Sequence, residues 1–96
     1  MSAVGIQGSV CSGHGGFPPR PSAEGEPLLK VNGIPVLVAG NLFPDHIDIY
    51  SYAKHSGVAI STRPWFTVNG KPICCVGDPV SCGSVVVSGN PFFQVS

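Results

Sequence analysis

Seven residues in this 96-residue chain carry side chains suited to metal binding or thiol chemistry: His14, His46, His55, Cys11, Cys74, Cys75 and Cys82. Their spacing matches no general zinc pattern, but two of them share an offset from a glycine and a third falls one residue short of it. Gly8 stands six residues before His14, Gly40 six before His46, and Gly77 six before Gly83, with Cys82 one residue earlier. His55 follows His46 closely. If the three glycines begin equivalent turns, three imidazoles and one thiolate converge. Zn²⁺ favours four tetrahedral nitrogen and sulfur ligands, and a closed shell of this kind holds structure rather than doing catalysis. The expected metal ligands are therefore His14, His46, His55 and Cys82, with zinc as the structural metal and iron left open.

The remaining candidates read more plainly. Cys11 is the rival fourth ligand, but it aligns with Phe43 and Val80, an apolar position, and is read as packing. Cys74 and Cys75 are neighbours on a predicted strand and so point to opposite faces. Asp45 or Asp48 would suit a general base beside a metal with an open position, whereas Ser12 is read as turn material. No Ser/His/Asp order, phosphate-cradling glycine loop or carboxylate pair is present. Two rival readings follow from the same residues. One is a small zinc metallohydrolase with an open three-histidine site; the other is a disulfide-stapled secreted module.

The elements that would position these residues are repeated. Thr67 to Gly83 contains two apolar runs around Asn69-Gly70, and Asn-Gly between extended runs is a strong hairpin signal because a type I′ turn needs positive φ at both central residues. Moved back by 37 residues, Pro64, Val68, Asn69, Gly70, Pro72 and Gly77 fall on Pro27, Val31, Asn32, Gly33, Pro35 and Gly40. A third copy is cut in two. Val87 to Ser96 overlays Ile60 to Asn69, and Val4 to His14 overlays Val36 to His46, so the two termini are expected to complete one hairpin between them. Internal periodicity takes precedence over any local assignment. The expectation is a single all-β domain spanning 1–96, a small cone of three pseudo-three-fold β-hairpin repeats converging on a metal-bound tip.

Alternation along the strands divides the faces. Leu29, Val31, Phe66, Val68, Phe93 and Val95 should turn to the core. Leu28, Trp65 and Phe92 should turn outward beside Lys30, Thr67 and Gln94, as a candidate docking surface for a partner. The segments Gly15 to Pro27 and Ile47 to Gly57 are read as non-helical connections.

Composition sets the limits. With 43% hydrophobic and 10% charged residues, 13 glycines, 10 prolines and zero net charge, the chain has no basic stripe for nucleic acid and is too apolar for disorder. No apolar run approaches a membrane span, and the N-terminus lacks a signal-peptide profile. The chain is therefore read as made in the cytoplasm with its cysteines reduced.

His14–Gly16, Val31–Asn41 (VNGIPVLVAGN), Val68–Gly83 (VNGKPICCVGDPVSCG) and Ser88–Asn90 resemble the PAAR-repeat proteins, over nearly the whole chain. The resemblance implies a zinc-bearing cone, using three His and one Cys near its point. Such a cone sits as a monomer on the trimeric β-helical central spike of a contractile phage tail or type VI secretion system. It implies a mechanical, non-enzymatic role: capping the spike and making transient contact with the target membrane as the envelope is pierced. The assembled location would be a virion tail or baseplate, or a secretion spike delivered outside; the lack of room for a fused effector favours the phage tail. Departures from the family pattern are Ser9 and Asn41 where the family carries a turn acid, retained as Asp78. Val36-Leu37-Val38 and Ile73-Cys74-Cys75 replace the alanine-arginine part of the motif, and Phe-Pro-Asp precedes His46.

Overall fold

The computed structural model describes residues 2–13, 17–47, 50–52 and 54–95, the side chains at 46, 54 and 55 excepted. Among the described residues there is no helix. Eight strands form four two-stranded antiparallel sheets. Strand β2 (Glu26–Val31) pairs with β3 (Ile34–Val36), and β6 (Arg63–Val68) with β7 (Lys71–Ile73). β1 (Ser2–Val4) pairs with β8 (Asn90–Val95), the two strands nearest the chain ends. The fourth sheet joins β4 (Leu42–Ile47) to β5 (Lys54–Val58). The molecule is elongated, 38 × 22 × 22 Å, with equal short dimensions.

The turns form where the sequence demands them. Asn32-Gly33 and Asn69-Gly70 both have positive φ at both residues, 51° and 79° in one, 54° and 76° in the other. That is the backbone a type I′ turn requires. In the three repeated hairpins the six-residue strand bulges at one place: between Glu26 and Lys30, between Arg63 and Thr67, and opposite the Ala3/Val4 step. Pro27, Pro64 and Pro91 lie in these bulges, where a missing N–H costs no ladder bond. Each bulge pushes the next residue outward: Leu28 is 70% exposed, Trp65 68% and Phe92 85%.

Around the axis the three units are joined by a closed ring of backbone hydrogen bonds. Gly5 N–H donates to Cys74 O (2.9 Å), Cys74 N–H to Leu37 O (2.9 Å), and Leu37 N–H back to Gly5 O (2.8 Å). A second set of three links the same units in the opposite sense, Gln7 to Pro35, Ala39 to Pro72 and Val76 to Ala3. A third set, Ala23 to Leu42, Ile60 to Pro79 and Val87 to Val10, recurs at equivalent positions within each unit. The acceptors of the ring are Gly5, Leu37 and Cys74, residues that the repeat places at one position. Buried amides and carbonyls must find partners, and here each unit satisfies the next.

The ring segments separate two apolar clusters. Val4, Val36, Val38, Val68, Ile73, Cys75 and Val95 make one, with Leu29, Val31, Phe66 and Phe93 half-buried against it. Phe66 and Phe93 meet edge-on, ring centres 5.8 Å apart at 60°, the arrangement favoured by aromatic quadrupoles. Cys11, Leu37, Phe43, Ala59, Cys74, Val80 and Val86 make the other. Of the six residues expected in the core, Val68 and Val95 are fully buried, and the other four are half-buried because Val4, Val36 and Ile73 of the short strands lie deeper. Cys11, Phe43 and Val80 are packed together, and Cys74 and Cys75 face different clusters.

Three different residues do one job at the turns. Ser9 Oγ accepts from Ile6 N–H (2.9 Å), Asn41 Oδ1 from Val38 N–H (2.8 Å) and Asp78 Oδ2 from Cys75 N–H (2.9 Å). The turn requires an acceptor, not a charge. Asp78 does more: its Oδ1 takes Thr62 Oγ–H (2.7 Å) and pairs with the Arg63 guanidinium at 3.1 Å, and Arg63 also donates to Ser2 Oγ at 3.0 Å. Glu26 and Asn90, at the position of Arg63 in the other units, accept the N–H of Leu28 and Phe92 instead. Glu26 also accepts from Asn69 of the neighbouring hairpin, and that bond, with the Leu28 amide, lowers its pKa.

The ring leaves no space for three side chains on the axis. A Cβ on Gly5 would come within 2.9 Å of Leu37 Cδ2 and 3.1 Å of Cys74 O. Gly5→Ala should therefore destabilise by about 1–3 kcal/mol, the usual cost of overpacking. Urea unfolding would measure it, and the Gly5→Ala/Leu37→Ala pair should lose less than the sum of the two single changes.

Candidate metal centre

Beyond each turn the chain makes an outward excursion and returns. In the first unit Cys11 N–H meets Arg20 O; in the second Phe43 stands opposite Gly57; in the third Val80 N–H meets Ser84 O. The excursions differ in length, and all four predicted ligands lie within them. The second is long enough to form the hairpin β4–β5, which the sequence had suggested only as a connection. LFPDHI and KHSGV do not alternate, which is why periodicity missed it. In that hairpin His46 and His55 are register partners.

Cys82 sits in the shortest excursion. Residues 80–84 are closed by Val80 N–H to Ser84 O (2.8 Å) and Gly83 N–H to Val80 O (2.9 Å), with Gly83 at φ 106°. Ser81 ties this loop to β5: its N–H donates to Val58 O, and its Oγ accepts from Val58 N–H, both at 2.9 Å. The loop thus lies against the strand that carries His55. Cys82 is half-buried, and its sulfur is 3.1 Å from the point where a Cβ on Gly57 would stand. His14 lies outside the described residues; Ser12, two positions before it, exchanges hydrogen bonds with Val85, just past the Cys82 loop. Among the described residues no three His, Cys, Asp or Glu side chains form a group, the histidine side chains not being among them.

The other candidates have structural surroundings. Asp45 is exposed, and its carbonyl accepts from Arg20 Nε; Asp48 lies outside the described residues. All four cysteines are free thiols, and three are buried. Burial pushes the Cys74 thiol up to about 12, with Asp78 and Cys75 adding to it. Burial also raises Cys75, partly offset by Arg63. Neither supplies a thiolate near neutrality.

A protein-family model described as PAAR motif matches residues 8–88. The chain belongs to the PAAR-motif family. No curated protein matches the chain. The PAAR family is that of the structural spike-tip proteins of contractile injection machines, phage tails and type VI secretion systems among them, and metal binding is known in it. The paired antiparallel hairpins are consistent with a small β cone.

Thiol chemistry gives a direct check. In metal-free protein at about pH 8, where exposed cysteine is partly thiolate, one thiol of the four, Cys82, should react rapidly and three only on unfolding. Rapid reaction of a second thiol would contradict the burial. The raised Cys74 and Cys75 values carry a sign as well: above pH 9 the unfolded chain loses protons that the folded chain keeps. Stability should therefore fall as pH climbs from 9 toward 12, seen as a declining unfolding midpoint.

Proposed function

We propose that this chain is the zinc-stabilised tip of a contractile injection machine. It caps the trimeric β-helical central spike as a monomer and enters the target envelope first. The observation that carries the reading is the closed hydrogen-bond ring of Gly5, Leu37 and Cys74: three non-identical units of one chain are arranged about one axis, as suits a cap on a three-fold partner. On this reading residues 1–96 act as one cone, with the two chain ends supplying its third unit. The protein is not an enzyme; its role is mechanical. It is made in the cytoplasm and assembled onto the tail or secretion spike.

Zinc fits the donors present. Cys82 is a free, half-buried thiol held against β5, His46 and His55 are register partners on the adjoining hairpin, and His14 belongs to the first unit's excursion. Three neutral imidazoles and a thiolate suit Zn²⁺ in a closed tetrahedral shell; iron is the alternative metal. The excursions carry little apolar core of their own, and a bound metal worth about 10–16 kcal/mol would hold them together.

Leu28, Trp65 and Phe92 form the docking face. They occupy equivalent bulges in the three units and are the large apolar side chains pushed outward there. A three-fold partner would meet one of them on each of its chains. Contact cores are depleted of charge, and Lys30 is the one charged residue among the six outward positions.

Elemental analysis of purified wild type beside Cys82→Ser tests the metal: one zinc per wild-type chain, lost in the variant, is expected. Zinc kept by the variant would point to an open three-histidine site and to the hydrolase reading. Placing charge on the docking face tests the partner. Trp65→Glu or Phe92→Glu should weaken binding to the cognate trimeric spike by about tenfold or more, on the scale of one buried aromatic side chain. Unchanged binding by both variants would remove these residues from the interface.

A further inference from the structure

Two residues with no place in the expected ligand set converge on the Cys82 sulfur. Ser84 is 1% exposed, yet carries a hydroxyl, and its Oγ lies 3.6 Å from Cys82 Sγ, within hydrogen-bond range for sulfur. In the thiol form Cys82 S–H donates to Ser84 Oγ. A hydroxyl hydrogen is free to rotate, so against a thiolate Ser84 becomes the donor. A buried hydroxyl needs such a partner, and the backbone holds it there: Ser84 O closes the 80–84 loop through Val80 N–H.

Gly57 approaches from the other side. A side chain there would press on Val80 Cγ1 at 2.8 Å and on the Cβ and Sγ of Cys82 at 3.1 Å each. Its φ is not in the left-handed region. The demand for glycine therefore comes from the neighbouring cysteine, not from the backbone. Because Ser81 fixes the loop to Val58 by two hydrogen bonds, the loop cannot simply shift away from β5.

We infer that Ser84 and Gly57 are positioning residues for the metal thiolate. Ser84 donates its hydroxyl to the Cys82 sulfur, and Gly57 leaves the space that lets this sulfur stand beside β5 and the strand pair bearing His46 and His55. The inference rests on the zinc reading above and deepens it: it adds an outer layer around one ligand. Outer partners of this kind orient a ligand and set its donor strength, and losing one typically weakens metal binding 10–100-fold. Gly57 acts by geometry alone, by allowing the sulfur its place.

The test compares Ser84→Ala, Gly57→Ala and Cys82→Ser with wild type, using two metal probes and no activity. Zinc affinity is measured by competition with a chromophoric chelator, and the thiolate-to-metal charge-transfer band is recorded after loading Co²⁺. Ser84→Ala should bind zinc about 10–100-fold more weakly and shift the cobalt band while keeping it. Gly57→Ala should weaken zinc and diminish the band, because the sulfur is displaced. Wild-type affinity and an unaltered band in both variants, with zinc lost in Cys82→Ser, would overturn this inference and leave the metal site standing. Zinc and the band both retained in Cys82→Ser would instead overturn the assignment of Cys82 as a ligand, and the closed-shell reading and the inference with it. If Gly57→Ala does not fold, Ser84→Ala decides alone: its hydroxyl is small, and a purely structural loss would leave the cobalt band where it was.

Discussion

The whole molecule depends on a ring of three amides. Gly5, Leu37 and Cys74 each donate to the next and accept from the previous one, so the three units are linked at the axis by backbone alone. Backbone bonds are indifferent to side-chain type, and that indifference lets three divergent units share one geometry. The constraint shows where side chains must share the axis itself. There one position is glycine, one is leucine and one is cysteine, and the leucine fills the room that the glycine leaves. A three-fold axis this narrow cannot hold three equal side chains at native packing density. The symmetry is kept in the hydrogen bonds and given up in the volumes.

The turn residues show the same division. Ser9, Asn41 and Asp78 satisfy the same amide three residues back with three different oxygens. Only Asp78 adds an ion pair, with Arg63, and Arg63 in turn reaches Ser2. That places the ion pair found among the described residues at the seam where the first strand meets the last, the unit that has no Asn-Gly turn of its own. Asn69 reaches across to Glu26 elsewhere; at the seam the guanidinium does the reaching. Breaking a buried pair by removing one partner is costly, about 3–5 kcal/mol, so this link is a strong constraint at the seam.

What the sequence made legible follows from which features are local. Asn-Gly turns, bulge prolines and turn glycines each demand a special backbone, so the repeat and its hairpins could be read from 37-residue offsets. The outward set Leu28, Trp65 and Phe92 was legible because alternation survives up to the bulge. The depth order of the core was not. Val4, Val36 and Ile73 sit on three-residue strands too short to show a period, yet they lie deeper than Leu29 and Phe66. The hairpin β4–β5 was hidden because Pro44, Asp45 and Gly57 break alternation in both strands. The ligand candidates were found by their shared distance from a glycine, but the excursions that carry them have unequal lengths. Arithmetic alone could not reveal that His46 and His55 share one hairpin, or that Ser81 binds the Cys82 loop to it.

That inequality has a chemical use. On a true three-fold axis formed by three copies of one segment, every protein donor arrives in threes, and a four-ligand shell of mixed chemistry cannot be completed by the protein. A single chain with three related units escapes this limit. On the proposed reading its first unit contributes one histidine and its second, through the longer excursion, two. Its third contributes a cysteine from a loop so short that a glycine on β5 must stand clear of the sulfur. On the proposed reading, then, the divergence of the three excursions is not drift away from a perfect repeat. It converts a three-fold body, suited to a trimeric partner, into a four-fold donor set suited to zinc.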